Sequence, residues 1–375
     1  VGSLAIRGLT ARYGKTVALH GIDLELTDRE FFVVLGPSGA GKTTTLKSVA
    51  GLVDGAAGEV RIAGRDMTGV EPYDRGVAMA FESYALYPQR TVEQNLASPL
   101  RSGRNGTWTP AQQAERIRQV TTTLGIDHLL GRYPRELSNG QRQRTALGRV
   151  LVRPAEVYLL DEPLSHLDAK LRAAMRAELK QLGDLSGTTT LYVTHDYQEA
   201  LALGDRIGVL REGRLVQVGT PTQVWTEPVD TFVARTIGQP EMNLLDAVVD
   251  GGAARTPGGG VVVGVGPEVP AGDAVRLGIR PRDLEIVDRQ APDDRLVLRG
   301  RVVLAERLGR SVELSIDVAG VQVIAVTADH RTREGDSVTL VAEWANVHVF
   351  GAGEPAPRLG AACRPEPAQL AGGAR

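Results

Sequence analysis

Two kinds of apolar patterning divide this chain. Through the first part, short continuous apolar runs alternate with apolar positions at helical spacing. Residues 31–35 (FFVVL), 157–160 and 190–193 are continuous runs of strand length, the pattern of strands buried on both faces. Residues 4–9, 21–26, 58–62 and 76–81 read as further short strands, the first two flanking a turn at Tyr13-Gly14. Thr109-Pro110 opens a helix, with Thr as N-cap and Pro at the first position. Ala114, Ile117, Val120 and Leu124 then recur at helical spacing. Helical patterns also follow the two later runs, at residues 169–182 and 197–203. Strand and helix in alternation predict a parallel sheet covered on both faces.

After about residue 238 the period changes from helical to two. Val312, Leu314, Ile316 and Val318 point one way, with Glu313, Ser315 and Asp317 opposite. Residues 261–265, 275–279, 321–326 and 338–341 look similar, separated by Gly, Pro and Asp turns. This predicts a small all-β barrel domain over 238–350. From 351 to 375 the chain is rich in Ala, Gly and Pro and is expected to be a disordered tail.

Composition adds mostly exclusions. The 375 residues leave room for two domains with a core each. A net charge of −2 steers the chain toward neither nucleic acid nor an acidic membrane. No apolar run approaches the length of a bilayer span. The opening VGSLAIRGLTARYG lacks the basic start and apolar core of a secretion signal. The one cysteine, Cys363, rules out an internal disulfide framework, and a reducing cytosolic setting is expected.

The chemistry begins at residues 36–44, GPSGAGKTT, directly after the FFVVL run and before a helical pattern. This is G-x-x-x-x-G-K-[ST] in a strand–loop–helix context, a phosphate-binding loop. Gly36, Pro37, Ser38, Gly39, Ala40, Gly41, Lys42, Thr43 and Thr44 form it. The glycines let backbone N–H groups turn toward a phosphate, and the helix adds its positive end. Lys42 can reach the β- and γ-phosphates, and the Thr43 hydroxyl can hold Mg²⁺.

Four further features are ambiguous when taken singly. VYLLDEP (157–163) is a buried strand ending in Asp161 and Glu162, which are simply solvated acids unless a phosphate loop shares the sheet. Beside such a loop, Asp161 can serve Mg²⁺ and Glu162 can polarise an attacking water. LSNGQRQR (137–144) precedes a helical run, so Ser138 is either a plain helix cap or part of an anion site. His195 at a strand end and Tyr13 at a turn are ordinary residues by themselves.

In this order, over residues 1–237, these features resemble the ATP-binding cassette (ABC) ATPases. The resemblance implies a P-loop α/β core with a small antiparallel β subdomain and a helical subdomain at about 83–153. Tyr13 matches the adenine-stacking aromatic. Ser138, Asn139, Gly140 and Gln141 lie in the family signature LSGGQ, residues 164–168 (LSHLD) match its D-loop, and His195 its switch histidine. In that family two cassettes face each other, and each ATP lies between one phosphate loop and the other subunit's signature. Residues 82–100, 238–245 and 277–284 (LGIRPRDL) narrow the resemblance to MalK-type importer ATPases with an OB-like (TOBE/MOP) C-terminal domain. The implied partners are a second ABC ATPase subunit, two integral-membrane permease subunits and an extracytoplasmic solute-binding protein, with the chain at the cytoplasmic face of the membrane. The implied cofactors are ATP and Mg²⁺. Carbohydrate is the favoured solute class, with polyamine, iron and sulfate importers as alternatives.

Three positions depart from the family pattern. Glu82 stands where an Mg²⁺-binding Gln is usual; a carboxylate still suits Mg²⁺ but adds negative charge near Glu162. Asn139 replaces the first signature Gly, as the next residue tolerant of left-handed backbone. His166 replaces the usual D-loop Asn. Either this chain pairs with a non-identical ATPase and has lowered activity, or a homodimer tolerates all three changes.

Overall fold

The computed structural model describes residues 2–81, 86–101, 108–165, 167–287 and 294–366. Glu82 and His166 therefore lie outside the described residues. The chain divides into two compact units, Val1–Pro221 and Thr222–Arg375.

The first unit holds two sheets. β1 (Leu4–Tyr13), β2 (Thr16–Leu26), β4 (Ala57–Ile62) and β5 (Arg65–Asp66) form an antiparallel sheet in the order β2-β1-β4-β5. The second sheet runs β10-β9-β3-β8-β7-β6. Its strands are β3 (Phe31–Leu35), β6 (Val77–Ala80), β7 (Val157–Asp161), β8 (Thr189–Thr194), β9 (Arg206–Arg211) and β10 (Arg214–Gly219). All neighbours in it are parallel except the β9–β10 hairpin. Every residue of β3, β7 and β8 is buried, which is why these strands read as unbroken apolar runs.

The parallel pairing positions the site. Leu35 sits beside Thr194, and Asp161 beside Val193. The C-terminal ends of three adjacent strands thus open onto one edge, where α/β sheets place their ligands. Helix α1 (Lys42–Val49) follows β3 directly. Between β6 and β7 lie α2 (Val92–Ala97), α3 (Pro110–Thr123) and α4 (Asn139–Leu151), with α2 and α3 both packed on α4. Thr91, Thr109 and Ser138 each close a reciprocal capping box at the N-terminus of one of these helices. Helices α5 (Ala169–Ser186) and α6 (Tyr197–Leu203) complete the unit.

The second unit opens with two short helices, α7 (Pro221–Thr226) and α8 (Thr231–Thr236). Among the described residues, eleven strands follow, β11 (Asn243–Asp250) to β21 (Arg358–Ala361), in two antiparallel sheets. One core joins both sheets, and Val312, Leu314, Ile316 and Val318 all lie in it, as their alternation predicts.

Two expectations about this unit need correction. Its beginning precedes residue 238, because Arg280 of the LGIRP stretch is 2% exposed and reaches back to both helices. Its guanidinium donates to the carbonyls of Trp225 (2.9 Å), Ala234 (3.3 Å) and Ile237, and stacks 4.0 Å from the Trp225 ring. A buried cation on helix C-terminal carbonyls is favoured by charge and by hydrogen bonding together. The segment after 350 is not a disordered tail as far as residue 366. Residues 358–361 pair with β20 (Val347–Phe350), and Cys363 bridges to Gly264. Ala356 and Ala362 are buried there, so the small side chains that resemble a linker serve close packing. Residues 367–375 lie outside the described residues.

Candidate functional site

The loop after β3 is held open by its own backbone. Gly41 has φ +106°, which only glycine adopts readily. A Cβ on Gly36 would lie 2.5 Å from the Leu210 carbonyl oxygen, so that position admits no side chain. Lys42 is folded back over the loop, its Nζ donating to the Gly36 (2.9 Å) and Pro37 (3.0 Å) carbonyls. The ammonium is nearly buried, and Glu162 Oε1 lies 3.2 Å away.

Glu162 is the centre of the site. Its other oxygen, Oε2, is 2.7 Å from His195 Nδ1. The sheet explains how the three meet, since Glu162 N–H donates to the Val193 carbonyl and Gly36 N–H to that of Thr194. Glu162 also has φ +43°, a left-handed conformation costing about 1–3 kcal/mol for a residue other than glycine. The backbone is strained at the residue whose carboxylate bridges the lysine and the histidine. Its side chain stays 15% exposed, so a ligand can reach it.

One residue earlier, buried Asp161 accepts a hydrogen bond from the Thr43 hydroxyl at 2.9 Å. Two hard oxygens thus sit side by side at the first turn of α1, a donor set that fits a small divalent cation whose other ligands are phosphate and water. Of the predicted residues, the structure brings together Lys42, Thr43, Asp161, Glu162 and His195. Tyr13, at the end of β1, is 51% exposed and so presents its ring to solvent.

The 138–141 segment stands apart from this cluster. Among the described residues, no hydrogen bond or ion pair joins it to the loop. Ser138 Oγ accepts from Gln141 N–H, and the Gln141 side chain accepts from Ser138 N–H. Asn139 is the first residue of α4 and has no positive φ. The expectation that it needs left-handed tolerance is thereby corrected: in a right-handed turn, Asn in place of Gly costs no backbone strain. Ser138 and Asn139 are exposed and Gly140 is half-buried.

Several residues in the site's support were invisible to motif reading. Gln143 of α4, 2% exposed, donates to the Pro163 carbonyl just after Glu162. Glu199 of α6 is 1% exposed and accepts from the Tyr192 and Thr194 hydroxyls, both at 2.7 Å. Burial pushes its carboxyl above the usual range, and Asp196 adds to that, while the two hydroxyls and Arg172 oppose it. No spacing signal marks these contacts; only the buried position of a polar residue on a helix hints at them.

Known proteins resemble this chain along most of its length. Residues 19–165 match the family model described as ABC transporter, and residues 277–350 match the TOBE domain. A trehalose/maltose import ATP-binding protein, MalK, of Thermococcus litoralis is 44% identical over 358 residues, spanning 90% of this chain and 94% of that protein. An sn-glycerol-3-phosphate import ATP-binding protein, UgpC 1, of Rhizobium johnstonii is 40% identical, spanning 93% of this chain and 94% of its own length. Among solved structures, the dimeric bacterial ABC transporter cassette MJ0796 superposes with a TM-score of 0.53 at 27% identity, covering 58% of this chain and 98% of that one.

Proposed function

Since the chain belongs to the ATP-binding subunits of ABC importers, MalK-type with a TOBE domain, we propose that it hydrolyses ATP at Lys42, Glu162 and His195 to drive uptake of a carbohydrate. The observation that carries this reading is the Glu162 carboxylate, held between the Lys42 ammonium at 3.2 Å and His195 at 2.7 Å. That arrangement answers the lysine's charge before a phosphate arrives and leaves a base aimed at the same place afterwards.

In this mechanism Lys42 and the backbone N–H groups of residues 36–44 hold the phosphates, and Tyr13 stacks on the adenine. Thr43 and Asp161 would hold Mg²⁺, Asp161 through water, with Glu82 as a further ligand. When bound, the ion neutralises charge on the phosphate oxygens. Glu162 takes the proton of a water as its oxygen bonds to the γ-phosphorus and the bond to the bridging oxygen breaks, releasing ADP and phosphate. His195 orients the carboxylate and contacts the γ-phosphate. Ser138, Asn139, Gly140 and Gln141 face the ATP of a second cassette.

That second cassette is taken to be a copy of this chain, because the capped, regular start of α4 accommodates Asn139 without strain. Intact-mass measurement of the complex purified from its native cell tests this. A second, different ATPase subunit in that complex refutes it. The permease subunits of the importer would hold the chain at the cytoplasmic face of the membrane, with the solute-binding protein delivering solute to the permease from the other side. Support for a carbohydrate is the similarity to the relative named for trehalose/maltose import; the relative named for sn-glycerol-3-phosphate points to a phosphorylated polyol instead. Deleting the chain's gene should abolish uptake of labelled trehalose or maltose. Unchanged sugar uptake with loss of polyamine or iron uptake would overturn the solute assignment while leaving the ATPase assignment standing.

A further inference from the structure

His195 has a 54% exposed side chain, and Glu162 is its only hydrogen-bond partner among the described residues. A ring pinned at one nitrogen takes its position from the backbone on either side. Both neighbours are tied down. The Thr194 hydroxyl donates to Glu199 and accepts the Asp196 N–H at 3.0 Å. Asp196 caps α6, its Oδ1 accepting from Gln198 N–H at 2.8 Å and Glu199 N–H at 3.4 Å.

The two carboxylates that fix these neighbours converge on one cation. Arg172, on the first turn of α5, donates from Nη1 to Asp196 Oδ2 at 3.1 Å. Its Nε lies 3.9 Å from Glu199 Oε1. Its Nη2 donates to the Leu167 carbonyl at 3.1 Å. Leu167 belongs to the 164–168 segment, whose other end is fastened to the catalytic carboxylate's own residue: Ser165 N–H (3.2 Å) and Oγ (2.9 Å) both donate to the Glu162 carbonyl. One short segment is therefore tied to Glu162 by Ser165 and to the His195 turn by Arg172.

We infer that Arg172 is a positioning residue for hydrolysis, setting where His195 stands relative to Glu162 by bridging the 164–168 segment to Asp196 and Glu199. Two acceptors in different directions, the Asp196 carboxylate and the Leu167 carbonyl, with the Glu199 charge 3.9 Å from Nε, suit the planar guanidinium fork; a lysine ammonium keeps the charge but cannot present the same fork. Without a cation there, Glu199 and Asp196 face each other as buried and half-buried like charges, and the turn carrying His195 relaxes. A shift of about 1 Å in a catalytic group costs up to about 100-fold in rate.

The inference rests on the roles given above to Glu162 and His195, so the test includes a control for them. The purified full chain is assayed for phosphate release from Mg-ATP, for binding of a fluorescent ATP analogue, and for its melting midpoint. Arg172→Gln should lower kcat by about 10- to 100-fold while KM and analogue affinity stay within about two-fold, since, among the described residues, Arg172 contacts Asp196, Glu199 and Leu167 and no residue assigned to nucleotide binding. Arg172→Lys should fall between the two. Adding Asp196→Asn to Arg172→Gln should cost little more, because the pair works as one unit. A kcat for Arg172→Gln within two-fold of wild type, or an equal loss of nucleotide affinity, or additive losses in the double variant, overturns the inference. If Arg172→Gln fails to fold, Arg172→Lys decides, and wild-type kcat there overturns it. Wild-type turnover by Glu162→Gln would instead overturn the site assignment itself, whereas an inactive Glu162→Gln beside a fully active Arg172→Gln refutes the role of Arg172 alone.

Discussion

Replacing Glu162 by glutamine keeps the side chain's length and removes its charge. Two consequences of opposite sign follow from its contacts. At 3.2 Å, the gross attraction between Glu162 and Lys42 is about 5 kcal/mol at an effective dielectric of about 20. With a neutral amide there, Lys42 loses its ion pair and, among the described residues, keeps hydrogen bonds to the Gly36 and Pro37 carbonyls. Its charge is then more available to a phosphate, so ATP should bind at least as tightly as to the wild type. Hydrolysis should fail, because an amide takes no proton. Losing a positioned base costs about 10²- to 10⁴-fold, or roughly 3–5 kcal/mol of barrier. Single-turnover phosphate release and nucleotide affinity, measured on the same preparation, separate the two effects. Turnover within about three-fold of wild type would refute Glu162 as the base. ATP binding weakened by about ten-fold would refute the competition between Glu162 and phosphate for Lys42.

Other parts of the structure make separate claims. Gly36→Ala would press a Cβ against the Leu210 carbonyl, a backbone atom of β9 that cannot swing away, so ATP affinity should drop by about ten-fold or more, read by analogue binding. Arg280→Ala strands three carbonyls in the second unit and should cost about 3–5 kcal/mol, read by urea unfolding of the full chain; an unchanged midpoint would show the clamp to be idle. His348 is held neutral, its pKa lowered from 6.5 to about 4 by burial first and then by Arg358 and Arg280. The unfolded chain therefore takes up a proton that the folded one refuses between those values. Its contribution is whole above about pH 6.5 and declines as pH falls toward 4, by about 3 kcal/mol. His348→Gln should flatten that part of the stability–pH curve; a slope identical to wild type would refute the assignment.

Much of this molecule could be read from local pattern. The unbroken apolar runs of β3, β7 and β8 announce strands buried on both faces, because such a strand needs no polar side. The alternation from Val312 to Val318 announces a one-sided sheet for the corresponding reason. The phosphate loop and the Asp161-Glu162 pair are legible because their chemistry needs particular residues at fixed short spacing on one strand–loop–helix. What joins them is not local. Lys42 and Glu162 meet because β3 and β7 flank β8 in a parallel sheet, a pairing that strand composition does not encode. Composition also misread residues 351–366, since whether a Gly- and Pro-rich segment orders depends on an open strand edge, here that of β20, found elsewhere in the fold. Residue type likewise suggests left-handed backbone at Asn139, while the helix that Ser138 caps decides its φ. Arg172, Glu199 and Arg280 carry no motif at all. A buried charge is tolerable only where partners from distant segments converge on it, and only the folded chain brings those partners together.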